Sequence, residues 1–443
     1  MAVKGIAGLT GQLKDKLIQQ ALERKLKQAE NPRVESKSAQ SAVPEAFYKF
    51  DQHPGYTQLR IISEGGRRLG IESPFFKLHE GLAGATTTID GKEYINFASY
   101  NYLGLNGHPK VSQAAKDAID RYGISVSASR VVSGERPIHR ALESKLAEVY
   151  DVDAAIVFVS GHATNVSTIG LLFGPKDLII HDEYIHNSAL QGILLSGAKR
   201  LSFAHNDLKA LDEILGNNRH DFERVLIVVE GIYSMDGDYP DLPELIAIKQ
   251  RHCAFLMVDE AHSFGVMGKT GLGIREHFGV PGKDVDIWMG TLSKSLAGCG
   301  GYIAGETALI EHLKCLAPGF LYSVGMPAPV AAASLVALEC MQSEPDRVTQ
   351  LQKMGRYFLE QAQQLGINTG SSSGLAVIPA LVGSSIKAAR LSATLFEQGV
   401  NVQPILYPAV PESAARLRFF ISSEHTVEQI DFTLESLQKA LPK

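Results

Sequence analysis

The stretch "AFLMVDEAH", residues 254–262, decides the fold because an unbroken apolar run ends abruptly in charged residues. A short run of this kind is typical of a strand that is buried on both faces of a parallel sheet. Similar runs recur along the chain: "AAIVFVSG" (154–161), "DLIIHD" (177–182), "RVLIVVEG" (224–231), "DIWMGT" (286–291) and "GYIAG" (301–305). They alternate with longer helical segments, so the sequence predicts an α/β domain with a mostly parallel sheet.

Polar or glycine residues follow the predicted strands at once. They are Gly161 and His162, Asp182, Glu230 to Ser234, Asp259 to His262, and Thr291 to Lys294. Ligands of parallel α/β sheets bind beyond the carboxyl ends of the strands. The pattern therefore predicts that these side chains converge on one crevice.

A lysine stands among small residues in "MGTLSKSLAGCGGYIAG", residues 289–305. Lys294 with Thr291, a buried Asp259 and the turn "SGHATN" (160–165) would suit a cofactor that carries an aldehyde and a phosphate. The amine can form a Schiff base, the carboxylate can hold a pyridinium proton, and a turn at a helix N-terminus can bind phosphate. Each residue also has a structural alternative, since such an aspartate can cap a helix and His262 can be a hydrogen-bonded core histidine.

Composition excludes several classes of function. The formal net charge of −5 offers no electrostatic reason to bind nucleic acid. The four cysteines form no CxxC pair, which predicts free thiols and no metal site. No apolar run reaches the roughly 18 to 20 residues of a membrane span, and the N-terminus lacks the apolar segment of a secretory signal. We therefore expect a cytoplasmic protein.

The N-terminus differs from the rest of the chain. Apolar residues recur at helical spacing between Ile6 and Leu26 beside a lysine-rich face, and the polar stretch "NPRVESKSAQSAVPEA" follows. We expect the helix to pack on its own fold or a partner subunit; a docking or membrane-surface helix is the alternative. The sequence predicts a helix and linker (1–46), an N-terminal segment (47–95), a large cofactor-binding domain (96–335) and a smaller C-terminal α+β domain (336–443).

A series of motifs resembles the α-oxoamine synthases, pyridoxal-phosphate enzymes of fold type I. This family includes serine palmitoyltransferase, 8-amino-7-oxononanoate synthase, 5-aminolevulinate synthase and 2-amino-3-ketobutyrate ligase. The motifs occur in the family's order across about three quarters of the chain: "NFASYNYLGLNGHP" (96–109), "SGERPIHRALE" (133–143), "SGHATN" (160–165), "HDEYIHNS" (181–188), "EGIYSMDGD" (230–238), "MVDEAHSFGVMG" (257–268), "GTLSKS" (290–295), "LYSVGMP" (321–327) and "ARLRFFISSEHT" (415–426). The resemblance implies the fold type I α/β architecture and pyridoxal 5'-phosphate as cofactor.

The resemblance also implies a role for each matching residue. Lys294 is similar to the lysine that bonds to the cofactor and moves a proton, and Asp259 to the partner of the pyridine nitrogen. His262 resembles the histidine that binds the ring oxygen and the acyl carbonyl, and His186 the one stacked on the ring. Arg418 resembles the arginine that binds the substrate carboxylate. The remaining cofactor contacts implied are Gly161, His162, Ser234, Thr291 and, toward the partner's phosphate in a homodimer, Ser323.

The implied reaction is a decarboxylative Claisen-type condensation of a small L-amino acid with an acyl thioester, either acyl-CoA or an acyl-carrier protein. Several relatives have asparagine where this chain has Tyr100, a predicted substrate contact, and a similar "SYNYLG" in eukaryotic serine palmitoyltransferases favours serine-type substrates. A weaker resemblance of "SVSASR" with "SGERPIH" to synthases of polyketide machinery favours a carrier protein, which the basic N-terminal helix could dock. Competing hypotheses are another fold type I reaction (aminotransfer or amino-ketone cleavage) and a silent partner subunit.

Overall fold

The computed structural model describes residues 19–25, 27, 43–68 and 70–441. Most of the predicted N-terminal stripe, including Ile6, Leu9, Leu13 and Leu17, lies outside the described residues. Residues 19–25 are helical, and Gln19 Nε2 donates a hydrogen bond of 2.6 Å to Glu412 Oε1. The described part of this helix thus contacts the C-terminal part of the chain.

The described chain alternates helices and strands. The helices are α1 (Pro54–Arg68), α2 (Pro109–Tyr122), α3 (Pro137–Tyr150), α4 (Gly161–Leu172), α5 (Asn187–Ser196), α6 (Leu208–Asn218), α7 (Leu242–Arg251), α8 (Gly273–Phe278), α9 (Thr307–Leu316), α10 (Pro318–Leu321), α11 (Ala328–Ser343), α12 (Asp346–Gln364), α13 (Ser385–Glu397) and α14 (Val427–Ala440). The strands are β1 (Thr86–Ile89), β2 (Lys92–Asn96), β3 (Ala154–Phe158), β4 (Leu178–Asp182), β5 (Lys199–Phe203), β6 (Val225–Glu230), β7 (Phe255–Asp259), β8 (Ile287–Thr291), β9 (Gly301–Gly305), β10 (Val377–Leu381), β11 (Val400–Asn401), β12 (Gln403–Ile405) and β13 (Arg416–Phe420).

The central sheet has seven strands in the order β3-β9-β8-β7-β6-β4-β5. Strands β8, β7, β6, β4 and β5 are joined in parallel, whereas β9 pairs antiparallel with both β3 and β8. The predicted mostly parallel α/β sheet is confirmed. The sequence pattern missed β5, an edge strand in which only Phe203 is buried, because it lacks a continuous apolar run.

Both faces of this sheet are covered, as the unbroken apolar runs predict. In β6 the side chains of Val225, Ile227 and Val229 pack into one core cluster. Those of Leu226 and Val228 pack into the other. Side chains alternate between faces along a strand, so a run without polar residues is required when helices cover both sides. Strand ends, where this cover stops, are left for polar residues.

Two small three-stranded sheets lie outside the central one. Strands β10, β13 and β12 form an antiparallel sheet in the C-terminal part, and β11 pairs in parallel with β2 of the N-terminal segment. The smaller C-terminal α+β region is therefore confirmed. The boundary predicted at residue 336 falls inside α11, and the four-segment division itself stays a prediction.

Two expectations from the composition concern membrane spans and the cysteines. Within residues 19–25, 27, 43–68 and 70–441, no helix is both long enough and apolar enough to cross a bilayer. The cysteines are free, as predicted, with Cys253, Cys299 and Cys315 exposed and Cys340 buried.

Candidate active site

The crevice lies at the carboxyl ends of β6, β7 and β8. The register places Glu230, the last residue of β6, beside Asp259, the last residue of β7, and Asp259 beside Met289 of β8. Lys294 follows β8 by three residues. Parallel strands thus bring together groups that are far apart in the sequence, as the strand-end pattern predicts.

Asp259 is a buried carboxylate with two hydrogen bonds. Its side chain is 5 % exposed. Oδ1 accepts from the Ala261 N–H at 3.0 Å, and Oδ2 accepts from Asn165 Nδ2 at 3.0 Å. Hydrogen bonds of this kind stabilise the charged form in a dry site. Asp259 can therefore hold a negative charge toward the crevice.

Lys294 has an amine that is easier to deprotonate than an ordinary lysine. Burial lowers its pKa to about 8, against the opposing attraction of Asp259 and Glu230. Its Nζ lies 5.7 Å from the centroid of the Tyr100 ring. A lysine with a lowered pKa is a better nucleophile and a better proton acceptor near neutral pH.

His262 is held by a tyrosine that the sequence analysis did not single out. Its Nδ1 lies 2.7 Å from the hydroxyl of Tyr102, and both side chains are buried. Burial, reinforced by the charges of Lys294 and Arg418, lowers the pKa of His262 well below its usual range. The ring is therefore neutral. Tyr102 occupies Nδ1, and among the residues that the structure describes no hydrogen bond engages Nε2, which can thus bind a ligand.

His186 caps the N-terminus of α5. Its Nδ1 accepts from the Ser188 N–H at 3.2 Å and lies 2.7 Å from Ser188 Oγ. Desolvation by the surrounding protein lowers its pKa, Asp259 opposes the shift, and Lys294 and His162 add to it. His186 is thus a neutral, partly solvent-facing ring with a fixed orientation.

The N-terminus of α4 forms a cradle of backbone N–H groups. Ser160 caps the helix, because its Oγ accepts from Ala163 N and its carbonyl accepts from Thr164 N. The first-turn N–H groups of Gly161 and His162 remain for an external acceptor. A Cβ on Gly161 would lie 3.1 Å from Thr291 Oγ1, so glycine keeps the approach open. The site suits a phosphate.

Arg418 connects β13 of the small sheet to the segment after β6. Its Nη1 donates to the Ser234 carbonyl at 3.0 Å, and its guanidinium lies 4.4 Å from the Phe420 ring centroid. Tyr100 packs edge-on against the same Phe420 ring at 5.9 Å. Burial lowers the pKa of Arg418, with no loss of its charge in the physiological range. Arg418, Ser234 and Tyr100 therefore lie around one part of the crevice.

Ser323 lies in the segment between α10 and α11, flanked by the exposed side chains of Tyr322 and Val324. The structure records no contact between Ser323 and the other predicted site residues within the described ranges. Its predicted role concerns the phosphate of a partner subunit, and it stays a prediction.

The sequence analysis missed three buried residues that contact the predicted site. Tyr102 and Asn165 stand inside the quoted motifs "NYLGL" and "SGHATN", and Glu230 was noted only as a strand end. Burial and the neighbouring Asp259 raise the pKa of Glu230 well above its usual range. The missed signal was a polar residue inside an otherwise apolar or helical stretch.

The residues present fit pyridoxal phosphate. The Gly161 cradle accommodates an anion, Asp259 offers a buried negative charge, and Lys294 offers a reactive amine. Together with the mostly parallel sheet, these groups define a pyridoxal-phosphate-dependent transferase of fold type I.

Comparison with known proteins identifies the family. Residues 92–437 match the family model of aminotransferase class I and II, so the chain belongs to this family and, within it, to the α-oxoamine synthases. It is a pyridoxal-phosphate-dependent C-acyltransferase, as the sequence motifs imply.

The similar proteins carry two kinds of name. An 8-amino-7-oxononanoate synthase of Symbiobacterium thermophilum is 42% identical over 85% of this chain and 95% of its own length. A serine palmitoyltransferase structure from Sphingomonas wittichii has a TM-score of 0.83 at 31% identity, covering 87% of this chain and 97% of that one. An 8-amino-7-oxononanoate synthase structure from Francisella tularensis has a TM-score of 0.69 at 29% identity, covering 78% and 97%.

Proposed function

We propose that this enzyme condenses a small L-amino acid with an acyl thioester to give an α-amino ketone, releasing CO2 and a thiol. The observation that carries the proposal is the meeting of Lys294, Asp259 and His262 at adjacent strand ends in a chain similar to synthases of this type. In the overall reaction the Cα–carboxylate and the C–S bonds break, a Cα–acyl bond forms, and one proton is consumed from solvent.

Pyridoxal phosphate, when bound, supplies an electron sink for the pair left on Cα. Lys294, with a pKa of about 8, removes the α-proton as a neutral amine and returns a proton to Cα after CO2 has left. Asp259, held by Asn165 and the Ala261 N–H, would offer its negative charge to a cationic ring nitrogen. Lys294 thus does the acid–base work, and Asp259 supplies a fixed negative charge.

Arg418 is the proposed partner of the amino-acid carboxylate. A planar guanidinium offers two parallel N–H donors to such a group. Its contact with the Ser234 carbonyl fixes one edge and leaves other donors for a ligand. Tyr100, close to both Lys294 and Phe420, would contact the substrate from the other side.

The two histidines act as neutral rings. His262 is proposed to donate from Nε2 to the ring oxygen or the acyl carbonyl, since Tyr102 holds its other nitrogen. His186 would cover a ring face. Gly161, His162 and Thr291 would hold the phosphate, with Ser234 a further cofactor contact.

We further propose a cytoplasmic homodimer in which Ser323 reaches the partner's phosphate. Exposed Tyr322 and Val324 flank Ser323, and the Gly325 N–H donates to the Ala128 carbonyl, next to a turn with exposed Val131 and Val132. Such an apolar patch supports a subunit contact. Sedimentation of the purified protein at a monomer mass would contradict it.

The names of the similar proteins point to two amino substrates. An 8-amino-7-oxononanoate carries a methyl-substituted amino carbon beside its ketone, which corresponds to L-alanine, whereas serine palmitoyltransferase uses serine by its name. The higher identity of the first group favours L-alanine, and the resemblance around Tyr100 favours L-serine. The acyl group is a thioester of coenzyme A or of a carrier protein.

An absorbance titration with glycine, L-alanine and L-serine tests the proposal. One amino acid should shift the visible band of the lysine-bound cofactor saturably, and addition of acyl-CoA or acyl-carrier protein should then release CO2, free thiol and an amino ketone detected by mass spectrometry. A keto acid product would instead indicate aminotransfer. A protein without a visible band after addition of pyridoxal phosphate would contradict the proposed site.

A further inference from the structure

A chain of hydrogen bonds joins two of the proposed catalytic groups, Asp259 and His186. Asn165 Nδ2 donates to Asp259 Oδ2 at 3.0 Å and to Ser188 Oγ at 2.9 Å. Ser188 Oγ in turn lies 2.7 Å from His186 Nδ1. Asn165 and Ser188 are each 1% exposed, so both links are shielded from water.

The direction of every bond in this chain can be derived. The Ser188 backbone N–H can only donate, and it lies 3.2 Å from His186 Nδ1, so this nitrogen is an acceptor. The Ser188 hydroxyl therefore also donates to Nδ1, and its oxygen accepts from Asn165. Both protons of the Asn165 amide nitrogen are then used, one on Ser188 and one on the Asp259 carboxylate.

The hydrogen-bond chain therefore couples the protonation state of Asp259 to that of His186. An acceptor at Nδ1 leaves the His186 proton on Nε2, and a donor at Oδ2 favours a charged Asp259. Buried chains of aligned hydrogen bonds polarise one another, so loss of one link weakens the rest. The side-chain oxygen of Asn165, Oδ1, has no hydrogen-bond partner among the described residues. The hydrogen bonds of this side chain are therefore made by its amide nitrogen.

We propose that Asn165 and Ser188 are positioning residues that together fix the charged state of Asp259 and the Nε2-protonated form of His186. This inference rests on the proposed function of the site. A purely structural role, as a polar contact between α4 and α5, would change stability and leave the cofactor's behaviour unchanged.

A double-mutant cycle on cofactor-free protein tests the proposal. Wild type, Asn165→Ala, Ser188→Ala and the double variant are titrated with pyridoxal phosphate, and the dissociation constant and the pH midpoint of the visible band are measured. Each single change should weaken binding about tenfold, as expected for loss of a buried hydrogen bond to a charged group. The double variant should bind pyridoxal phosphate at most about threefold more weakly than the single variant with the lower affinity, because the two residues act as one unit. The pH midpoint should move in the same direction in all three variants.

Thr168 is a matched control on the same helix. It is fully buried, and its hydroxyl has no hydrogen-bond partner among the described residues. Thr168→Val should leave the dissociation constant and the pH midpoint within about twofold of wild type.

Three results would overturn the inference. Effects of the two single changes that multiply to about 100-fold in the double variant would show independent action. Unchanged cofactor binding in both single variants would show that the links do not matter. A lowered unfolding temperature of the cofactor-free variants with unchanged binding would show a structural role. A wild-type protein that fails to form the band would instead contradict the proposed function.

Discussion

Two histidine clusters at the carboxyl ends of the same sheet differ in charge, the first neutral and the second positive. His262, after β7, is buried against Tyr102, and burial with the nearby Lys294 and Arg418 lowers its pKa well below the usual range. His205, after β5, lies 3.0 Å from both Asp182 and Asp238. Burial lowers its pKa too, but the two carboxylates outweigh burial and raise it to about 10.

The difference shows that direct carboxylate contacts, more than burial, decide whether a histidine in this crevice is charged. With its pKa raised to about 10, His205 can donate from both nitrogens, and Tyr184 stacks on it at 4.5 Å. Asp238 also accepts from Ser371 Oγ at 2.7 Å, so the His205 cluster ties the central sheet to the segment before β10. The His262 cluster is thus suited to catalysis, and the His205 cluster to stabilising the fold.

The largest effect on catalysis at the His262 cluster is expected from replacement of Lys294. Lys294→Ala should lower turnover by about 10⁴-fold or more and abolish the visible band, because it removes both the nucleophile and the proton acceptor. Product formation is followed by mass spectrometry. Lys283→Ala is the control, since Lys283 is exposed and pairs with Asp153 away from the crevice, and it should retain both turnover and the band. A normal band in Lys294→Ala would contradict the assignment.

The same isosteric change in the two clusters should have different consequences. Asp259→Asn should lower turnover by about 10²- to 10³-fold through loss of a buried charge next to the cofactor. Asp182→Asn, which removes a partner of His205, should lower stability and keep turnover per folded enzyme within about threefold. Steady-state kinetics and urea unfolding of both variants measure this. Equal losses of turnover would remove the distinction between the clusters.

Replacement of His205 should lower the stability of the protein. His205→Gln leaves Asp182 and Asp238 facing each other without a cation, and we expect a loss of about 3 kcal/mol in the free energy of unfolding. His252→Gln is the matched control, because its side chain is as exposed as that of His205 whereas its partner Asp212 is 38% exposed and keeps Arg251 as a second cation. It should cost less than about 1 kcal/mol. Similar urea midpoints for the two variants would refute the structural role of His205.

The contribution of His205 to stability should depend on pH. Because the folded-state pKa of His205 is raised to about 10, its contribution is complete below the unfolded pKa of about 6.5 and is lost as the pH rises through about 10. The groups that face it are Asp182, Asp238, Tyr184 and Tyr233. The difference in unfolding midpoint between wild type and His205→Gln should therefore shrink between pH 7 and pH 10. A constant difference would show that His205 is uncharged.

The smallest effect is expected at the phosphate cradle. Gly161→Ala places a Cβ 3.1 Å from Thr291 Oγ1 without backbone strain, so Thr291 must shift by a few tenths of an ångström. We expect about fivefold weaker binding of pyridoxal phosphate, measured by titration of the visible band. Gly174→Ala, where a Cβ would meet nothing within 4 Å, is the control. Unaltered affinity in Gly161→Ala would place the phosphate elsewhere.

The sequence by itself determined the sheet and the residues at its ends. Unbroken apolar runs specify strands that are covered on both faces, and this pattern is local, so it could be read without knowing the fold. The quoted motifs around Lys294, Asp259 and His262 likewise stand beside their strands, and the family resemblance followed from them.

Only the tertiary structure decided which distant groups meet. The hydroxyl of Tyr102 reaches His262 across 160 residues, and Arg418 reaches the Ser234 carbonyl across 184. The antiparallel insertion of β9, the edge strand β5 and the different charge states of His205 and His262 were equally beyond the sequence pattern. The local sequence pattern shows which side chains of one segment are buried. Strand order and register decide which distant residues become neighbours, and these neighbours determine the hydrogen bonds and the proton affinity of each group.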